Sequence, residues 1–462
     1  MNQRPKVARP LLAFGALIGC ALVAPSGAWP QVASLDSMLE GRWQRTPVSP
    51  RIEELIRSVR NGDHQAVPRF WSAVSAHGAP LIESDRADTT TALVTFVWRS
   101  PSTVRVGAIV DFGQSALRML LQRAPSTDVW FRTYRVPVDA RFLYAFAVDD
   151  PNFPFEFGDS TAWPAATRID PLNPKSWGSP PQLSLVELPS APAIPWRTPD
   201  SSRARGVVGR FGAPVKSAIL GNERNAFVYR PPGYADSLGP YPLLVFGASF
   251  ISQIRLPAIL DYLIAAGRIP PVVAVFFDWP PGRQDIESGC TPEFGDFLAS
   301  EFLPWVRSRV RVATDPARVI IGGASAGGLS AACVALRHPE AFGNVLSESG
   351  AFWRGLGNSA AYWGDHNRDD TDRVWFSREA ASAPRVPVRF YLTVGTLERS
   401  GAFGEGAISM VHVNRLVRDV LIAKGYDVTY REISGGHDPY NWEIALPAAL
   451  ETLLNLTRRP AP

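Results

Sequence analysis

The chain has 462 residues, 46% apolar and 19% charged, which suits two packed globular domains and excludes a disordered or fibrous protein. The formal net charge of +4 is spread along the chain without a lysine/arginine block. That argues against nucleic acid as a partner and leaves room for a local basic pocket that takes an anion.

In chain order, residues 1–28 read as a secretory signal peptide. Arg4, Lys6 and Arg9 form a basic start, residues 11–24 are apolar, and Ser26-Gly27-Ala28 offers a cleavage site. This predicts export to the periplasm. A competing reading takes Leu17-Ile18-Gly19-Cys20 as a lipoprotein site, with a lipid anchor at Cys20. Residues 36–188 are predicted as one domain. It opens on a helical stretch with apolar spacing around Ile52 and continues as short β-rich runs at 91–98, 104–110, 130–136 and 142–148. Turn residues separate the runs at short intervals, the pattern of an Ig-like antiparallel β-sandwich. Residues 189–204 are rich in proline, serine and alanine and read as a semi-rigid linker.

From 205 to 462, near-continuous apolar strands alternate with helices. Strands are expected at 226–229, 243–246, 272–277, 319–321 and 388–394, and helices at 259–266, 294–310 and 329–337. That alternation predicts an α/β fold with a parallel sheet covered on both faces. Cys290 and Cys333 lack metal-ligand spacing and cannot define a disulfide framework, although the two could pair in an oxidising compartment. Cys333, in an apolar helical pattern, reads as a buried free thiol.

The chemistry centres on Gly323-Ala324-Ser325-Ala326-Gly327. A strand-like run precedes it and a helix-like run follows, so Ser325 would sit on a strained strand-to-helix elbow as a nucleophile. A serine needs a base. His437 follows the strand-like 428–433 and Ser434-Gly435-Gly436, where an α/β-hydrolase carries its histidine after serine and acid. His338 reads as structural and His412 as packing, while His366 lies in a polar loop. Glu398, just after the strand at 388–394, is chosen as the acid, with Glu405 and Asp438 as alternatives. The oxyanion hole is assigned to the amide of Ala326 and to that of Ala248 or Ser249. The chemistry calls for no metal and no organic cofactor.

With these residues in place, the chain resembles the enterochelin esterases, ferric-siderophore hydrolases of the esterase-D group. The second-domain likeness rests on Tyr229-Arg-Pro-Pro-Gly-Tyr234, the elbow, His338-Pro-Glu-Ala-Phe-Gly343, Ser347-Glu-Ser-Gly-Ala-Phe-Trp353, Gly395-Thr-Leu-Glu398 and Gly435-Gly-His-Asp438. Glu287-Ser-Gly-Cys-Thr-Pro-Glu-Phe294 and Glu301-Phe-Leu-Pro-Trp305 also fit. The first domain narrows it through Phe70-Trp71, Pro80-Leu-Ile-Glu83, Val94-Thr-Phe-Val-Trp-Arg99, Thr127-Asp-Val-Trp-Phe-Arg-Thr-Tyr134 and Asp170-Pro-Leu-Asn-Pro174. The chain departs from the family pattern at Gly247-Ala248, where Asp-Gly is frequent, and in the one-residue offset of Arg283.

The resemblance implies an α/β-hydrolase preceded by a sandwich domain, acting as a serine esterase on an anionic ferric catecholate trilactone to release iron. Such a ligand is anionic and aromatic, so Arg283, Arg354, Arg399, Trp279 and Trp353 become candidates for substrate contact. Two readings compete: a general carboxylesterase for aryl or sugar esters, and a noncatalytic siderophore-binding protein on a hydrolase scaffold.

Overall fold

The computed structural model describes residues 49–110, 119–153, 167–178, 182–198, 200–353, 374–399 and 408–455. The signal peptide and Cys20, together with Arg354, His366 and Glu405, lie outside the described residues. The described residues all belong to one compact unit, which spans Pro47–Pro462.

The N-terminal part opens with two helices, α1 (Pro50–Arg60) and α2 (Ala66–His77). The start of α1 is set by Ser49, whose hydroxyl accepts the Ile52 amide, and by Pro50 at the first helical position. Nine strands follow: β1 (Leu81–Ser84), β2 (Thr91–Arg99), β3 (Val106–Val110), β4 (Gln122–Arg123), β5 (Val129–Pro137), β6 (Arg141–Val148), β7 (Thr167–Arg168), β8 (Ser176–Trp177) and β9 (Leu183–Glu187). Among the described residues they form two antiparallel sheets. One has the order β1-β2-β5-β4; the other is β3-β6-β9-β8, with β7 also on β6. The two sheets share an apolar cluster. Phe96 on β2 meets Phe142, Tyr144 and Phe146 on β6 at ring-centroid distances of 6.4, 4.6 and 6.5 Å. Aromatic and β-branched side chains fill such faces well.

The proline-rich stretch is docked on the second half. Trp196 is buried, and its indole N–H donates to Glu443 Oε1 at 2.8 Å. Arg197 grips the same buried carboxylate with both Nε and Nη2.

The second half holds β10 (Val207–Arg210), the hairpin β11 (Val215–Ser217) and β12 (Asn222–Arg224), β13 (Ala226–Arg230), β14 (Leu243–Gly247), β15 (Val273–Phe277), β16 (Val319–Ala324), β17 (Asn344–Glu348), β18 (Arg389–Gly395) and β19 (Asp427–Ile433). The main sheet runs β10-β13-β15-β14-β16-β17-β18-β19. From β15 to β19 neighbours are parallel, while β13 and β10 add antiparallel. Helices α3 (Leu256–Ala265) and α8 (Pro439–Leu454) cover one face. The other is covered by α4 (Pro292–Phe297), α5 (Ala326–Arg337), α6 (Trp375–Ser382) and α7 (Met410–Ala423). Burial on both faces explains the uninterrupted apolar runs of β14 and β15. The helix expected over 294–310 is instead broken into α4, a wider turn at Leu298–Phe302 and a last turn at Leu303–Arg307.

One expectation is overturned. Cys333 is not a free thiol: it forms a disulfide with Cys290, their Cα atoms 5.6 Å apart. The bond ties α5 to the loop before α4. The apolar helical pattern around Cys333 favours a buried thiol over the pairing that two cysteines allow, and it carries no sign of the fold that brings Cys290, 43 residues away, beside it.

Candidate active site

Parallel α/β sheets present ligands to the crevice at the carboxyl ends of their strands. Ser325 leaves β16 there and begins α5. Its φ of 54° and ψ of −122° are strained values for a side chain with a Cβ. The elbow is clamped by the backbone: Ser325 N–H donates to Glu348 O at 2.8 Å, and Ser325 O accepts from Ala351 N–H at 3.0 Å. The glycine requirement falls partly elsewhere than the five-residue motif suggests. A Cβ at Gly323 would lie 2.5 Å from the Gly327 backbone, and one at Gly328 would lie 2.5 Å from Ser347 Oγ, whereas Gly327 itself faces open space.

Glu398 follows β18 and His437 follows β19, on neighbouring strands. The imidazole Nδ1–H of His437 donates to Glu398 Oε2 at 2.7 Å. Glu398 is completely buried, and its other oxygen accepts from Ser349 Oγ at 2.6 Å and from the Gly395 amide at 2.7 Å. Ser349, with φ 47°, follows β17 and also accepts a hydrogen bond from Trp442 Nε1 at 3.2 Å. The Trp442 ring stands edge-on to the His437 ring with centroids 5.0 Å apart. Ser349 and Trp442 escape a sequence reading. Ser349 lies within Ser347–Trp353, but neither residue type has a fixed station in a triad pattern.

The other acid candidate is engaged elsewhere: Asp438 caps α8, its Oδ1 accepting the Asn441 amide at 3.0 Å. His338 pairs with Asp296 and Glu340, and the His412 imidazole pairs with the Ser409 hydroxyl at the start of α7, both engaged with partners other than Glu398.

Ala326 opens α5, so its N–H belongs to the first turn, which has no intrahelical acceptor. Ala248 is a correction: its N–H donates to Phe277 O at 2.9 Å and is already committed. Ser249, the first residue of the short helix Ser249–Ser252, remains as the candidate for the second donor.

The substrate candidates separate. Trp279 borders the oxyanion loop, since a Cβ on Gly247 would lie 3.2 Å from its Nε1, and it stacks on Phe294 with centroids 5.0 Å apart. Arg283, part-exposed, donates from Nε to Glu287 Oε1 at 3.2 Å. Glu287 is in turn held by the fully buried Arg224 at 3.0 Å. Arg399 is exposed beside Glu398, its Nε on Thr396 O at 2.8 Å. Trp353 is a second correction: it is buried, with Nε1 donating to Met410 Sδ, so it packs the core rather than facing a ligand. No cluster of metal-ligating side chains occurs among the described residues.

Known proteins align with both halves. The family described as putative esterase matches residues 217–453, and that described as enterochelin esterase, N-terminal, matches residues 93–197. The iron(III) enterobactin esterase of Dickeya dadantii is 29% identical over 419 residues, covering 83% of this chain and 92% of that protein. An iron(III) salmochelin esterase of Escherichia coli is 27% identical over 424 residues, covering 85% and 95%. The crystal structure of the Shigella flexneri enterobactin esterase in the presence of enterobactin superposes with a TM-score of 0.61 at 25% identity, covering 83% of this chain and 97% of that one. The chain is a carboxylic ester hydrolase and belongs to the enterochelin esterase family.

Proposed function

We propose that this protein hydrolyses the ester bonds of a catecholate siderophore, iron-loaded as substrate, with Ser325, His437 and Glu398 as its triad. The observation that carries the mechanism is the 2.7 Å contact of His437 Nδ1 with the buried Glu398, on the same strand-end edge as the strained Ser325. Ser325 Oγ attacks the ester carbonyl while His437 Nε2 takes its proton. Glu398 fixes the tautomer and stabilises the imidazolium. The oxyanion accepts from the amides of Ala326 and Ser249. Collapse expels the alcohol, protonated by His437, and water then releases the acyl group from Ser325 by the same path.

The relatives named above support the substrate class. Arg283 and Arg399 supply cationic charge and Trp279 a flat ring for an anionic aromatic ligand. The N-terminal part is read as an Ig-like sandwich spanning 36–188, followed by a docked linker at 189–204 and the hydrolase domain at 205–462. The protein is read as exported to the periplasm; the Cys290–Cys333 disulfide suits an oxidising compartment.

The test compares wild type and Ser325→Ala on ferric and iron-free catecholate trilactones beside simple aryl esters. Cleavage of a trilactone by wild type alone is expected. Wild type that cuts only aryl esters would remove the siderophore reading, and an equally active Ser325→Ala would remove the mechanism.

A further inference from the structure

The loop that carries His437 is anchored on the N-terminal half. Arg141, the first residue of β6, forms an isolated parallel bridge with Gly435. Its N–H donates to Ser434 O at 3.2 Å, and its carbonyl accepts from Asn441 Nδ2 at 3.1 Å. Asn441 Nδ2 also donates to Asp438 Oδ2 at 2.8 Å, and the same oxygen accepts the Leu143 amide at 3.4 Å. Asn441 and Asp438 are both buried. Fit is tight, because a Cβ on Gly435 would lie 2.0 Å from Asn441 Oδ1.

The tie extends to the acid. Gly435 O accepts the Leu397 amide at 3.0 Å, and Leu397 packs against the apolar cluster between the two N-terminal sheets. Arg141 itself is held by Glu187 of β9 at 3.1 Å, and Tyr440 donates to that carboxylate at 3.0 Å. The residues before and after His437 are therefore fixed by β6, and Leu397, the residue before Glu398, is tied to that same loop. The end of β18 adds its own tie to the start of the loop, through the Thr396 amide on Ile433 O at 2.7 Å.

We infer that the start of β6 is part of the catalytic framework, with Asn441 as the positioning residue through which Arg141 sets the placement of His437. This rests on the triad reading above. The N-terminal half would then support turnover itself, beyond any contribution to substrate binding.

The experiment uses the full chain. Ser325→Ala and His437→Ala come first; if either retains wild-type activity, the triad reading fails. Asn441→Ala is then compared with Trp196→Phe, which removes one bond between the proline-rich stretch and α8 at Glu443, away from the loop. Displacing a catalytic group by about 1 Å costs on the order of a hundredfold, so Asn441→Ala should lose roughly ten- to a hundredfold in kcat with KM within about twofold, and Trp196→Phe should stay within about twofold in kcat. The downfield proton resonance of His437 Nδ1–H should shift or broaden in Asn441→Ala and persist in Trp196→Phe. Asn441→Ser, which keeps a short donor, should give an intermediate kcat and stands in if Asn441→Ala does not fold. An inactive His437→Ala beside an Asn441 variant with wild-type kcat and an unchanged resonance would overturn this inference and leave the triad standing.

Discussion

Ser349 and His437 approach the same carboxylate from opposite sides: the serine hydroxyl donates to Glu398 Oε1 at 2.6 Å and the imidazole to Oε2 at 2.7 Å. A carboxylate held at both oxygens cannot rotate away from the histidine. Hydrogen bonds to charged groups contribute about 1.5–3 kcal/mol, so Ser349→Ala should lower kcat by roughly tenfold or more if the whole effect reaches the transition state. Steady-state kinetics with an aryl ester measures this. An unchanged kcat would mean that the Gly395 amide and His437 hold Glu398 alone.

Glu398→Gln tests the acid more sharply. The amide keeps the shape but presents either a donor or a neutral acceptor to His437 Nδ1, and it no longer stabilises an imidazolium. The equivalent change in a serine protease triad lowers kcat by about 10⁴-fold, and a loss of that order is expected here with the fold retained. A loss under about tenfold would instead assign the enzyme to a Ser–His dyad, with the carboxylate as a structural group.

Much of this site is legible in the sequence because its members occupy strand ends, and strand ends are marked by punctuation. The apolar run at 319–321, the glycines around Ser325, and Gly435-Gly436 before His437 are local signals of local geometry. Leu183–Glu187 is a different case. It pairs with β6 inside the second sheet, although the strand-like runs expected in the first domain end at 148. The strand Val207–Arg210 is an exposed edge, with Val207 65% accessible, so it lacks the apolar alternation that betrays a buried strand. What the sequence hides is pairing at long range. The Cys290–Cys333 bond, the grip of Asn441 on Arg141 and the commitment of the Ala248 amide to Phe277 each join residues that no periodicity relates.

The disulfide closes a 43-residue separation between the loop before α4 and the helix that begins at the nucleophile. In the loop-entropy description such a crosslink contributes about 4 kcal/mol by restricting the unfolded chain. The double variant Cys290→Ser/Cys333→Ser should therefore unfold at a markedly lower denaturant concentration, and wild type treated with a thiol reductant should match it. Identical midpoints for oxidised and reduced wild type would mean that the unfolded chain gains little freedom when the bond opens.

Glu348 lies under the elbow, fully buried, with no hydrogen-bond partner for either carboxylate oxygen among the described residues. Its carbonyl holds the Ser325 amide while its side chain points into a low-dielectric interior. Burial pushes its pKa well above the ordinary value of 4.5. The native state therefore keeps a proton that the unfolded chain gives up above that ordinary value. Stability is fullest below it and is lost progressively as pH rises toward the native pKa. Glu348→Gln cannot ionise, so its stability should not carry this fall. The variant and wild type should lie closest in acid, and the variant's relative stability should grow as pH rises above the ordinary carboxyl value. Denaturant unfolding at a series of pH values measures the difference directly. Two curves that run parallel throughout would mean that Glu348 ionises in the native protein at no more cost than in the unfolded chain, and that a charge is accommodated directly beneath the nucleophile.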